Sequence, residues 1–153
     1  MTDFLAGQTL TDLHFPPTTD DREVGSYTIT TTTFGVGTTG GVYADCGVAF
    51  TAPITGKVDL EYGGQMSNST TNATIITPVV RLGATIGSGT TIVAATDDNN
   101  VQVTGTSSQR RGASLLLQGL TPGTVYNVRL EHRVSLASTG TLQRRYVTAT
   151  PRT

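Results

Sequence analysis

The chain has 153 residues, a formal net charge of −1 and a single cysteine, Cys46. This length suffices for one domain with a hydrophobic core of its own, and a single cysteine excludes an internal disulfide. With 31 threonines, 18 glycines and no tryptophan, the composition favours an all-β fold, because threonine suits a pleated surface and glycine suits turns.

Residues 1–24 are predicted to form an extended N-terminal arm. Their apolar residues are spaced too irregularly for a helix, and Pro16 and Pro17 stop any helix there. Such an arm needs a docking surface, either on its own domain or on a neighbouring molecule. The candidate anchoring residues are Phe4, Leu5, Leu10, Leu13 and Phe15. We expect the chain to fold without residues 1–24 but to lose its docking partner.

Residues 25–153 are predicted to form an antiparallel β-sandwich of about eight to ten short strands. Turn signals recur about every ten residues, and no window shows a sustained helical period. Pro78 places the fourth strand at a sheet edge or at a bulge. The expected strands cover residues 26–34, 42–50, 57–66, 76–82, 90–95, 101–104, 113–118, 125–134 and 141–148.

The segment 112–134 shows the strand pattern most clearly. It reads as two strands joined by a Thr-Pro-Gly turn, and the second alternates its side chains with a period of two. His132 falls on the inward face, where we expect a core or interface histidine. Truncation of Tyr126 is expected to destabilise the fold more than most other changes. The expected inward residues are Tyr126, Val128, Leu130 and Val134, and the expected outward residues are Asn127, Arg129, Glu131 and Arg133.

No catalytic or cofactor-binding motif occurs in the sequence, so neither an enzyme nor a cofactor is predicted. A G-x-S-x-G elbow and an H-E-x-x-H motif are absent, and the turn 35–41 lacks the lysine of a phosphate-binding loop. The inward position of Cys46 favours a buried structural cysteine over a reactive thiol. Asp97 and Asp98 are candidate calcium ligands. Their spacing departs from the calcium-loop pattern, and turn chemistry alone accounts for them.

Two segments resemble the jelly-roll domains of complement globular heads and tumour necrosis factors. Residues 46–62, CGVAFTAPITGKVDLEY, are similar to the G-x-F-x-A-P-x-x-G-x-Y segment of that family, and residues 113–130, ASLLLQGLTPGTVYNVRL, to its later strand pair. The resemblance implies a jelly-roll β-sandwich that assembles as a homotrimer. The L-T-P-G-T-x-Y segment also resembles the tyrosine corner of fibronectin type III modules, which have about 100 residues and a core tryptophan.

The arm resembles the opening of tail and head structural proteins of phages that infect actinobacteria. Residues 4–15, FLAGQTLTDLHF, are similar to their F-x-A-G-Q-x-L-T-A-x-x-L pattern. This resemblance implies a non-enzymatic virion structural protein, a capsid decoration or minor tail subunit, bound by its arm to the major capsid or tail protein. The alternative is a receptor- or carbohydrate-binding head, with loops 67–73 and 97–100 as its binding site. The implied location is the virion, assembled in the host cytoplasm.

Charge is unevenly distributed along the chain. Eight acidic residues precede position 62, whereas seven arginines follow position 98. The arginines alternate along strands without exposed aromatic residues between them, which favours a solvated face or a subunit contact over nucleic-acid binding. We expect a ring of three copies in which arginines of one copy meet acids of the next. The expected interface residues are Arg129, Arg133, Arg144, Arg145, Asp59 and Glu61.

Targeting signals are also missing from the sequence. The first ten residues lack the basic region and the long apolar run of a secretory signal. No stretch approaches the ~20 apolar residues that a membrane span needs. We therefore expect no membrane partner.

Overall fold

The structure is a computed structural model that describes residues 16–36 and 45–153. Every regular element in these residues is a β-strand. The strands are β1 (Thr19–Ile29), β2 (Gly47–Thr51), β3 (Lys57–Asn68), β4 (Ala73–Leu82), β5 (Thr91–Val93), β6 (Val101–Thr104), β7 (Gln109–Leu117), β8 (Val125–Val134) and β9 (Gly140–Arg152). The all-β prediction is confirmed.

The strands form two antiparallel sheets that pack face to face. The first sheet has the order β1-β9-β3-β7. The second has the order β2-β8-β4-β5, and β6 pairs with β4 on the same edge as β5. From β1 to β4, and again from β7 to β9, each strand lies in the opposite sheet from the strand before it. The predicted antiparallel β-sandwich is confirmed by this arrangement.

The core lies between the sheets and is built from the inward side chains of both. The residues predicted to face inward in the strands around 57–66 and 125–134 are buried, as the period of two predicts, but the predicted outward residues Asn127 and Glu131 of β8 are buried too. Each buried aliphatic side chain stabilises the fold by roughly 1.5–3 kcal/mol relative to an exposed one. The inward residues of β3 and β8 are Val58, Leu60, Tyr62, Met66, Tyr126, Val128, Leu130, His132 and Val134.

Strand β4 passes through the middle of the second sheet although it contains Pro78, which was expected at an edge or a bulge. One edge of β4 pairs with β8 from Thr74 to Leu82. The other edge is shared between β6, which pairs up to Ile76, and β5, which pairs from Val80. Pro78 lies in the gap between β6 and β5, where its missing N–H interrupts no pairing on that edge.

Strand β1 begins at Thr19, inside the segment predicted to be the arm (1–24). Residues 19–24 therefore belong to the first sheet, and the compositional boundary is not the structural one. The sequence T-D-D-R-E-V lacks apolar alternation because β1 is an edge strand, where charged side chains are tolerated and discourage pairing with other chains. The predicted anchoring residues Phe4, Leu5, Leu10, Leu13 and Phe15 lie outside the described residues, as do residues 42–44 of the second predicted strand.

Candidate functional site

A β-bulge in β9 decides where the side chains of Arg144 and Arg145 point. The register of β9 against β3 shifts between Gly63 and Gln65, and Arg144 has a φ of 48° there. One extra residue reverses the alternation of side chains. Arg144 therefore points to solvent, whereas Arg145 is only 1% exposed between the sheets. The expectation that both arginines lie on a surface is wrong for Arg145.

Arg145 shares the interior with two other ionisable groups, Cys46 and His132. Its guanidinium lies over the ring of Tyr27, 4.7 Å from the centroid. Burial, with the charges of Arg145 and Arg129, lowers the pKa of His132 to about 3. Burial raises the pKa of Cys46 to about 12, although the charge of Arg145 acts in the opposite direction. At neutral pH the imidazole is thus neutral, and Cys46 is an unreactive buried thiol, as predicted.

Charged side chains on the outer face of the second sheet form ion pairs with one another within the chain. Glu131 accepts hydrogen bonds from Arg81 at 2.8 Å and from Arg129 at 2.9 Å, and Asp45 lies 4.0 Å from Arg129. The side chains of Arg81, Arg129 and Glu131 are largely buried. Because an unpaired charge at this depth would be costly, these groups stabilise one another. Arg129, expected at a subunit interface, therefore has its partners in its own chain.

Asn127, expected to face solvent, is fully buried beneath the loop 83–89. Its Nδ2 donates to the carbonyl oxygens of Gly83 at 2.9 Å and Ser88 at 3.1 Å, and its Oδ1 accepts from the N–H of Gly87 at 2.9 Å. The side chains of β8 that point away from the core are thus also packed, through contacts between polar groups. Loop 83–89 creates this packing by folding back over the strand.

Asp97, one of the two candidate calcium ligands, binds an arginine. Both of its carboxylate oxygens accept from Nη2 of Arg133, at 2.7 and 2.9 Å, and this hydrogen bonding lowers the pKa of Asp97. The Arg133 guanidinium also lies 5.0 Å from the centroid of the Phe34 ring. Asp98 is exposed. Among the described residues, no group of three or more His, Cys, Asp or Glu side chains is placed to hold a metal ion.

The outer face of the first sheet differs, because two of its arginines have no carboxylate partner. Arg22 of β1, Arg110 of β7 and Arg144 of β9 line one depression of about 140 Å³ together with Val24, Tyr146 and the buried Arg145. We call the five residues other than Arg145 the arginine surface. In the part of the chain that the structure describes, no carboxylate lies within 4.0 Å of Arg110 or Arg144, whereas Arg22 has a neighbouring acid at 3.6 Å.

Tyr146 lies across the glycines of the neighbouring strands. Gly63 of β3 is its register partner, and a Cβ at Gly112 of β7 would collide with the tyrosine hydroxyl. Glycine at position 112 leaves room for the ring, and the Arg110 guanidinium lies 5.8 Å from its centroid. Arg22, Arg110 and Tyr146 are not among the predicted site residues, since they meet only when three strands are placed side by side. The sequence does indicate that all three side chains occupy outward positions in the alternation of their strands.

Asp59 and Glu61, the predicted acidic interface residues, lie on this same outer face. Asp59 pairs with Arg152, whereas Glu61 is exposed near Tyr146. The six predicted interface residues are thus not brought together on one surface. Within the described residues, Arg144 and Glu61 are the members of that set that are exposed and lack an ion-pair partner.

Neither a scan against protein-family models nor a search of curated proteins finds a match to this chain. The residues described by the structure include no helix long and apolar enough to cross a membrane.

Proposed function

We propose that this chain is a non-enzymatic structural protein of a phage particle, a capsid decoration or tail-associated subunit held by its N-terminal arm. The observation that carries the proposal is the short junction between the predicted arm and the domain. Residues 16–18 alone separate the last anchoring residue, Phe15, from Thr19, where β1 begins to pair with β9. Pro16 is buried, and Pro17 further restricts the backbone. An anchor joined in this way holds the domain in a fixed orientation.

The strand arrangement supports an assembly role. When β5 and β6 are counted as one interrupted strand, the described residues form eight strands in two four-stranded sheets. We interpret this arrangement as a jelly roll, an architecture that viral capsid domains use. The resemblance of residues 46–62 and 113–130 to complement-head and tumour-necrosis-factor domains favours the same interpretation and implies a homotrimer.

A receptor- or carbohydrate-binding head is the competing proposal, with loops 67–73 and 97–100 as the site. The polar groups of these loops are largely engaged within the chain. The side chain of Asn68 caps its own loop by accepting from the Thr70 N–H at 3.0 Å, and Asp97 binds Arg133. Neither loop contains an aromatic ring on which a sugar could stack. These contacts favour the structural role.

The test is to locate the chain on purified particles from the phage that encodes it. Quantitative mass spectrometry gives the copy number, and antibody labelling in electron microscopy gives the position. The proposal predicts a fixed copy number, divisible by three, on the head or along the tail. Absence from the particles contradicts it, and a few copies confined to the tail tip favour the receptor-binding head.

A further inference from the structure

We propose that the arginine surface is a docking site for an acidic polypeptide segment, one that carries carboxylates next to aliphatic side chains. Three strands of the first sheet bring together Arg22, Val24, Arg110, Arg144 and Tyr146 to form this surface. All five residues lie in strands of the first sheet, and none is a predicted anchoring residue, although Arg22 and Val24 fall within the segment 1–24 first predicted to be the arm. The proposal therefore stands whether or not the arm binds a particle.

The first argument is the contrast between the arginines of the two outer faces. On the second sheet, Arg81, Arg129 and Arg133 each donate to a carboxylate of the same chain at 2.7–2.9 Å. On the first sheet, Arg110 and Arg144 have no such partner within 4.0 Å among the described residues. Neighbouring guanidinium groups repel one another, so carboxylates from a partner would relieve this repulsion and form charge-assisted hydrogen bonds.

The second argument is the strained backbone at Arg144. A φ of 48° lies in the left-handed region, which is unfavourable for residues other than glycine, asparagine and aspartate. Strain of this kind is typical of functional positions, and bulges commonly redirect a side chain. Here the bulge brings Arg144 to the same depression as Arg22 and Arg110.

The composition of the surface selects a peptide over a long polyanion. Val24 is 79% exposed, and with the Tyr146 ring it offers apolar contacts that a sugar–phosphate backbone does not match. Asp20 and Glu61 lie on the same face of the sheet, where they would repel a nucleic acid or an acidic polysaccharide extended across it. A short segment that alternates acidic and aliphatic residues fits both the guanidinium groups and the apolar side chains of the surface.

The test measures binding of fluorescent peptides to the full chain by anisotropy at low salt. The probe alternates glutamate with valine, and the control peptide alternates lysine with valine. The test variant Arg110→Gln/Arg144→Gly removes two guanidinium groups of the arginine surface. The matched control Lys57→Gln/Arg111→Gln removes two other exposed cations of the same sheet, neither of which has an ion-pair partner among the described residues. We expect the test variant to bind the acidic peptide at least about tenfold more weakly, and the control variant to bind it like the wild type.

A thermal melt separates lost binding from lost structure. Glycine relaxes the left-handed backbone at position 144, so Arg144→Gly is expected to keep or raise the melting temperature while it weakens binding. The single variant Arg110→Gln repeats the binding test without altering the bulge.

Several results would overturn the proposal. Equal weakening by the test and control variants would mean that the peptide responds only to overall charge, and failure of the wild type to bind the acidic peptide would remove the site. Tighter binding of a single-stranded oligonucleotide or of heparin would assign the surface to another class of polyanion. A wild-type oligomer that the test variant dissociates in light scattering would identify the occupant as a second copy of this chain.

Discussion

Arg144 and Arg145 are consecutive in the sequence but lie in opposite environments. Arg144 is exposed on the outer face of the first sheet, whereas Arg145 is buried between the sheets over the ring of Tyr27. The bulge at Arg144 is the cause, since one added residue reverses the side-chain alternation of β9. A single irregularity thus contributes one arginine to the core and another to the arginine surface.

The two arginines are expected to differ sharply in their effect on stability. Arg145→Glu should lower the free energy of unfolding by at least about 3 kcal/mol, because it reverses a buried charge that lies opposite Glu23 in the register. Arg144→Glu, the same chemical change one residue earlier, should alter it by less than about 0.5 kcal/mol. Urea unfolding of both variants makes the comparison. Similar losses for the two variants would contradict the bulge.

Tyr126→Ala is expected to be among the most destabilising single changes, by about 3–5 kcal/mol. The ring is buried and stacks on Phe50 with centroids 5.9 Å apart, and its hydroxyl accepts from the Thr121 N–H at 3.1 Å. Tyr126→Phe, which removes only that hydrogen bond, should lose about 1 kcal/mol. Denaturant titration measures both, with Val125→Ala as an exposed neighbour. A loss below about 1 kcal/mol for Tyr126→Ala would reverse the assigned faces of β8.

His132 makes the fold sensitive to acid. Because burial lowers its folded-state pKa from 6.5 to about 3, the unfolded chain binds a proton that the folded chain excludes as the pH falls through this window. Stability contributed by the neutral imidazole is complete above about pH 6.5 and decreases by up to about 1.4 kcal/mol per pH unit below it. His132→Gln should flatten this dependence between about pH 4.5 and 6.5, where carboxylates contribute little. An unchanged slope in urea titrations at several pH values would show that other groups cause it.

Two truncations distinguish the arm from the first strand. Deleting residues 1–15 should leave the melting temperature nearly unchanged, because β1 begins at Thr19. Deleting residues 1–24, which the sequence alone marked as the whole arm, should lower it by about 10 °C or more, because the first half of β1 is lost. Differential scanning calorimetry gives both values. A 1–24 deletion as stable as the full chain would mean that this part of β1 contributes little to the sheet.

The faces of the regular strands could be predicted from the sequence because one period explains them. In β8, Tyr126, Val128 and Leu130 share a phase, and that phase is buried. In β9 the sequence contains an indication of the bulge. Leu142 and Val147 are both apolar and lie five positions apart, an odd spacing that a regular strand cannot place on one face.

The remaining features depend on contacts that leave no periodic signal. Asn127 is buried because a distant loop covers it, and Asp97 meets Arg133 across 36 positions of sequence. The arginine surface joins β1, β7 and β9, whose order in the first sheet the sequence pattern does not specify. Sequence reasoning therefore identified most strands and the core, but not the grouping of charges.

We propose that the N-terminal arm holds the β-sandwich on a phage particle. The most direct measurement is co-sedimentation of the purified chain with particles that lack it, comparing the full chain with a deletion of residues 1–15. We expect saturable binding of the full chain at a fixed number of copies per particle. We also expect the deletion variant, folded by circular dichroism, to stay in the supernatant. Binding of the deletion variant at the same level as the full chain, or no binding of the full chain, would show that the arm does not hold the domain on the particle.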